Sequence, residues 1–305
     1  MTLKRIFSKA CLMAILPLTS FLSLAQPSGA EEIAFLWEIE SPNNTVYLLG
    51  SIHLLRETDY PLSQPIQAAF EDAETVVFEI NIGESESPQT VQTFLQAAMP
   101  DSPDEVIYNA LDEDTYLLAQ ETAAELGLPF TGFNNFEPWA LYINLSVFKL
   151  LQLGFDPAYG IDSYFFNEAT LAQKNVLALE TIEEQFSFLD NMSVSVQADL
   201  VKQTILELDT LDTLMDSMVS AWESGDVPTF ESLILDGFED FPEAYEDLLV
   251  QRNQNWMPDI ESYINQPEDY LVIVGAAHLV GEDSVIKLLQ DRGYTVQQAS
   301  NTVRP

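Results

Sequence analysis

Two short apolar runs, 225 positions apart, end in the same four-residue frame. Residues 45–49 lead into Gly50-Ser51-Ile52-His53, and residues 270–274 lead into Gly275-Ala276-Ala277-His278. Short continuous apolar runs, rich in β-branched residues and closed by glycine, read as strands buried on both faces, as in parallel sheets. The glycine lets the backbone turn sharply and approach other groups closely. Each histidine then projects at a strand's carboxyl end, the edge where open α/β sheets bind ligands. His53 and His278 are the only two histidines in the chain. The frame therefore predicts that both imidazoles meet in one site.

The rest of the chain is built around these ends. Residues 35–40 read as a strand and pair with residues 45–49 in a hairpin through Ser41-Pro42-Asn43-Asn44. Ser63 and Pro65 start a helix whose apolar face is Ile66, Ala69, Phe70 and Ala73. Residues 75–80 form a third strand, and strand–helix–strand in this order predicts a parallel crossover. At the far end, Glu282, Asp283 and Ser284 open a helix that stops at Gly293, and residues 294–298 give a last strand. The middle is mostly helical, with helices expected over 91–99, 115–126, 138–153, 163–174 and 194–223. A strand over 175–179 interrupts them, and a helix over 243–264 breaks near Pro258. The expected fold class is α/β: a mixed β-sheet with paired strand-end Gly-x-x-His motifs and a large, mostly helical middle region.

Residues 1–30 read as a secretory signal peptide. Lys4, Arg5 and Lys9 precede an apolar run, and Ser28-Gly29-Ala30 supplies small residues for cleavage. The run is too short for a confident membrane span. Residues 31–305 read as a single domain, exported to the periplasm or the extracellular medium. The lone cysteine, Cys11, falls in the leader, so the exported chain has no disulfide and must rely on its core. Removing the leader leaves 8 basic against 49 acidic residues, a formal charge of −41. That excess argues against nucleic acid and anionic lipid as partners. No second apolar stretch is long enough to cross a bilayer, so no stable membrane insertion is expected after cleavage. It also fits a salty medium, in which ions screen the self-repulsion. Unfolding curves across a salt series are then expected to show stability rising with salt, and full stability at low salt would sink the idea.

Glu79 ends the third strand, within Val76-Val77-Phe78-Glu79-Ile80. A carboxylate in such a run is costly unless paired or metal-bound. Two histidines and one carboxylate make a facial ligand set for a catalytic divalent metal, with open positions for water and substrate. His53, Glu79 and His278 are the expected ligands, and manganese, cobalt or zinc would suit them. Arg252 can hold a substrate carboxylate or stabilise an oxyanion, or it can pair with a buried acid such as Glu79 or Glu180. Glu180 also ends a strand and can act as general base, orient a neighbouring ligand, or cap a helix. No Gly-x-Ser-x-Gly elbow is present. Trp139, Trp256 and Phe130, Phe133 and Phe136 read as core or pocket wall.

At this point the chain resembles the TraB/GumN family, which includes the animal Tiki proteins. The resemblance rests on Leu36-Trp37-Glu38, Val46 to His53, Tyr60-Pro61-Leu62 and Phe78-Glu79. It continues through Pro138-Trp139-Ala140, Gly160-Ile161-Asp162 and Leu179-Glu180-Thr181 with Gln185. It closes on Arg252-Asn253 with Trp256, Val274 to Leu279 and Gly281-Glu282-Asp283. Ser51 stands where threonine is frequent, a change that keeps the hydroxyl. The resemblance implies a fold related to the erythromycin-esterase and heme-binding ChaN-like proteins. It also implies an active site at the two Gly-x-x-His motifs with Glu79 and Arg252. Because Tiki proteins are described as divalent-metal-dependent proteases, it implies a metalloprotease with a peptide or protein substrate. A non-catalytic binding protein for heme, metal or peptide is the alternative on the same fold.

Overall fold

A computed structural model describes residues 33–85 and 87–300. The expected signal peptide lies outside the described residues. Six strands form one mixed sheet: β1 (Ile33–Glu40), β2 (Thr45–Ser51), β3 (Thr75–Phe78), β4 (Asn175–Ala178), β5 (Tyr270–Gly275) and β6 (Val296–Ser300). Their order is β4-β3-β5-β2-β1-β6. β1 and β2 make the expected antiparallel hairpin, with Ile39 opposite Val46. β5 pairs in parallel with β2 on one side and with β3 on the other, and β3 pairs in parallel with β4. The β2-to-β3 crossover through the Gln64–Asp72 helix therefore spans β5 and does not join neighbours.

This order positions the site. Every residue of β5 is buried, which is why it reads as an uninterrupted apolar run. Its carboxyl end lies between those of β2 and β3, so the segments after Gly50, Phe78 and Gly275 emerge side by side. β3 stops at Phe78, two residues earlier than expected. The adjoining segment stays close to β4, with the Glu180 amide donating to the Glu79 carbonyl at 2.9 Å. The two strand-end glutamates are thereby brought together.

Several helices differ from the sequence reading. Residues 194–223 form two helices, Val194–Glu207 and Leu211–Glu223. At the break, Thr210 Oγ1 donates to the Glu207 carbonyl at 2.9 Å, a local bond that competes with helix continuation. In residues 243–264 the irregularity is a π-helical turn, Glu246–Val250, and the Gln251–Ile264 helix runs through Pro258. Helices Ile182–Asp190 and Val227–Asp236 were not anticipated. Ser63 takes the N-cap position as expected, but its hydroxyl makes no cap bond and is buried without a partner. Among the described residues no helix is long and apolar enough to cross a membrane.

Candidate active site

Gly275 is the floor of the site. A Cβ placed on it would lie 3.2 Å from Glu79 Oε1, 3.4 Å from His278 Cδ2 and 3.4 Å from His53 Nε2. The two histidines and the glutamate thus converge on one backbone atom that carries no side chain. The Gly275 amide donates to Glu79 Oε1 at 2.6 Å, which ties the end of β5 to the residue after β3.

Each side chain has a defined partner. His278 is buried, with Nδ1 at 2.7 Å from Asn253 Oδ1. Asn253 Nδ2 donates to the Asp283 carbonyl at 2.8 Å, which turns its oxygen toward the ring. The Nδ1 proton is therefore committed, and the lone pair sits on Nε2. Burial and the nearby Arg252 guanidinium push His278 down to about 3, so it is neutral. Trp256 packs against this ring at 4.5 Å between centroids.

His53 sits in the opposite electrostatic setting. Its Nδ1 lies 2.6 Å from Asp162 Oδ2, and Ser51 Oγ donates to Asp162 Oδ1 at 2.8 Å. The Asp162 charge, with its hydrogen bond, raises the imidazole to about 9. The His53 side chain is 57% exposed and faces solvent through an open cleft of about 250 Å³. Ile80, Ile82, Pro157, Ser163 and Gln185 line that cleft along with Glu79.

Arg252 joins both glutamates. Its Nη2 donates to Glu79 Oε2 at 2.5 Å and to Glu180 Oε1 at 2.6 Å, its Nε reaches Glu180 Oε2 at 3.2 Å, and its Nη1 lies 3.1 Å from His278 Nε2. Burial opposes the Arg252 charge, but Glu79 and Glu180 outweigh it and the guanidinium keeps its proton. Burial would also raise Glu79, yet Arg252, the cationic His53 and the Gly275 amide hold its carboxyl well below the usual range. Burial pushes Glu180 up despite its bonds to Arg252 and Trp256. Both Glu180 oxygens are engaged, which favours the orienting role over that of a base.

The sequence reading passed over two members of this network. Asp162 was part of the Gly160-Ile161-Asp162 motif but received no role, and the helix was expected to begin after it. That helix spans Ile161–Ala172, and the Ile161 amide donates to the Ile52 carbonyl at 3.1 Å, which docks Asp162 beside His53. The approach is so close that a Cβ on Gly160 would lie 2.1 Å from the His53 carbonyl oxygen, so only glycine fits. Gln185, from the unanticipated Ile182–Asp190 helix, places Nε2 at 3.2 Å from both Glu79 Oε2 and Glu180 Oε1.

With this geometry established, comparison with known proteins becomes informative. The family model described as TraB/PrgY/gumN matches residues 35–298. The chain belongs to that family. It is 25% identical to YbaP of Escherichia coli (strain K12), described as uncharacterized, over 81% of this chain and 89% of YbaP. It is 22% identical to the metalloprotease TIKI2 of Xenopus tropicalis, over 89% of this chain and 61% of TIKI2. A metalloprotease TIKI homolog of Amphimedon queenslandica is 29% identical over 47% of this chain and 33% of its own length. No solved structure matches the chain significantly.

The fit of a metal to this family member's own residues is mixed. Donor types and charge suit a divalent cation. Glu79 and Glu180 share the Arg252 guanidinium, and Asp162 pairs with His53, which at about 9 is cationic at neutral pH, so one negative charge is unmatched when the carboxyls are ionised. Yet among the described residues no group of three or more His, Cys, Asp or Glu is arranged to hold a metal. The reason is local: Arg252 takes the His278 Nε2 lone pair, and the two Glu79 oxygens bind the Gly275 amide and Arg252.

Proposed function

We propose that the chain is an exported, divalent-metal-dependent hydrolase that cleaves peptide bonds, with His53, Glu79 and His278 as metal ligands. The observation that carries this reading is the convergence of those three groups on Gly275, with His53 and Glu79 lining an open cleft beside it. The unmatched negative charge of the centre and the metalloprotease relatives support it. When bound, such an ion supplies Lewis acidity, polarising a carbonyl and making water nucleophilic near neutral pH.

The chain's own residues prepare the rest. Asp162 holds the His53 proton on Nδ1 and turns Nε2 toward the cleft. Asn253 holds the His278 proton on Nδ1 and leaves Nε2 facing Arg252 and Glu79. Arg252, kept cationic between two glutamates, can meet negative charge developing on a substrate oxygen. Glu180 and Gln185 hold Arg252 and Glu79 in register. The apolar cleft wall of Ile80, Ile82 and Pro157 suits a peptide side chain beside His53.

The test uses the purified exported chain, stripped of metal and then supplied with manganese, cobalt or zinc, against a peptide library read by mass spectrometry. Metal-dependent cleavage is expected, with both metal binding and cleavage lost in His53→Ala and in His278→Ala. Unchanged metal binding in both variants would overturn the assignment. Saturable binding without any turnover would point to a binding protein in place of an enzyme.

A further inference from the structure

The helix Ile182–Asp190 carries Gln185 into the cleft, where its amide reaches Glu79 and Glu180. The helix is lightly held, since none of its residues is fully buried. Its first end is fixed to the sheet: the Glu180 amide donates to the Glu79 carbonyl at 2.9 Å, and Thr181 closes a capping box with Glu184. Its body rests, through Phe186 and Leu189, on a small apolar cluster outside the main core that includes Trp139 and Ala140. Its last residue, Asp190, meets the Glu137 side chain in hydrogen-bond contact.

That contact has a chemical condition. An ionised carboxylate only accepts, so two carboxyls bond each other only while they share a proton. Glu137 is 5% exposed and takes the N-cap position of the Pro138–Gln152 helix, yet its side chain makes no cap bond. Its Oε2 accepts from Gln197 Nε2 at 2.9 Å, and Gln197 is itself fixed by the Trp139 amide at 3.1 Å. The other charged groups acting on the pair, Asp101 and Glu105, are acids as well. The Pro88–Ala97 helix, whose cap residue Ala98 accepts from the Glu137 amide at 2.9 Å, has no charged residue. Among the described residues neither Glu137 nor Asp190 has a salt bridge to a base. The start of a helix favours one anion at this place, but nothing offsets a second. Burial accordingly pushes Glu137 up to about 7 and raises Asp190 too.

We propose that the Glu137–Asp190 pair is a pH-sensitive latch on the Ile182–Asp190 helix: with one shared proton it holds Gln185 in the cleft, and loss of that proton frees the Asp190 end. The latch does not depend on what the cleft binds. A carboxyl whose value is raised by folding contributes stability that is full below about 4.5 and is lost as pH rises through about 7. The helix is therefore fastened in mildly acidic medium and loosened in alkaline medium, and loosening takes the Gln185 donor away from both glutamates.

Amide hydrogen exchange, read by mass spectrometry, compares wild type with Glu137→Gln at the same pH, so intrinsic exchange rates cancel. The new amide can donate to Asp190 and still accept from Gln197, which fixes the latch in its protonated form. At pH 8.5 residues 182–190 are expected to exchange at least ~10-fold faster in wild type than in the variant, with no difference at pH 5.5. Asp190→Asn neutralises the other half of the pair and should behave as Glu137→Gln does. The melting temperature of wild type should also fall by roughly 5 °C more than that of Glu137→Gln between those two pH values. Equal protection of residues 182–190 at pH 8.5 in wild type and both variants overturns the latch. Faster wild-type exchange spread evenly over the chain overturns it as well, because a latch opens one helix.

Discussion

Arg252→Ala is expected to destabilise the protein by about 3–5 kcal/mol, the usual cost of removing one partner from a buried ion pair. For a domain of this size that is a fall in melting temperature of roughly 10 °C. The side chain is 9% exposed and is the cation that contacts both Glu79 and Glu180. Its loss leaves two carboxylates facing each other in a dry site, with Gln185 the neutral donor between them. Glu180→Gln added to Arg252→Ala should recover part of the loss, because it removes one of the two stranded charges. Glu180 is the better choice for this rescue, since burial already pushes its carboxyl toward the neutral form. Differential scanning calorimetry at neutral pH checks both steps. A melting temperature that does not move in Arg252→Ala would mean the carboxylates find water or protons cheaply, and the buried network would not hold the site as described.

Asp162→Asn is expected to lower peptide cleavage by about 10–100-fold, the usual cost of losing the partner that orients a metal-binding histidine. The amide is nearly isosteric, so packing around residue 162 should survive. What disappears is the carboxylate that fixes the His53 proton on Nδ1. The expected signature is in the pH dependence as well as the rate. The His53 value is raised from 6.5 to about 9 in the folded protein. A raised value on a base contributes stability that is fully present below about 6.5 and is lost as pH rises through 9. Wild type should therefore lose stability relative to Asp162→Asn across that window, measured by denaturant unfolding from pH 6 to 10. His278 acts in the opposite sense. Its value is lowered to about 3, so the unfolded chain takes up the proton first and stability falls as pH drops from 6.5 toward 3. Parallel pH–stability curves for wild type and Asp162→Asn between 6 and 10 would count against the His53–Asp162 pair.

Much of the architecture is visible in residue patterns because buried strands and glycine turns are local signals. The β1–β2 hairpin, the strand β5 and the Val285–Asp291 helix capped by Ser284 follow from alternation, apolar runs and caps within a dozen residues. The boundaries that moved did so for reasons a pattern does not carry. The break at Leu208–Thr210 comes from a threonine side chain choosing a backbone carbonyl. The π-helical turn before Arg252 aims the Leu248 carbonyl at the guanidinium, a role that depends on groups from β3 and β4.

The candidate site divides in the same way. Sequence alone singled out the residues at three of its corners, and the structure brings those three side chains together. Two histidines in one strand-end frame and a glutamate ending an apolar strand are unusual enough to stand out, since charge and imidazole are costly in buried runs. Sequence alone also left Arg252 with two open roles and gave Asp162 none. Tertiary structure supplied the partners of both, because each pairing is a distance between segments remote in the chain. Asp162 reaches His53 across 109 positions, and Arg252 reaches Glu79 across 173. Insertion of β5 between β2 and β3 is what brings the two histidines to one glycine. That order comes from which apolar faces pack best against one another, a property of the whole core that no single segment of the chain encodes.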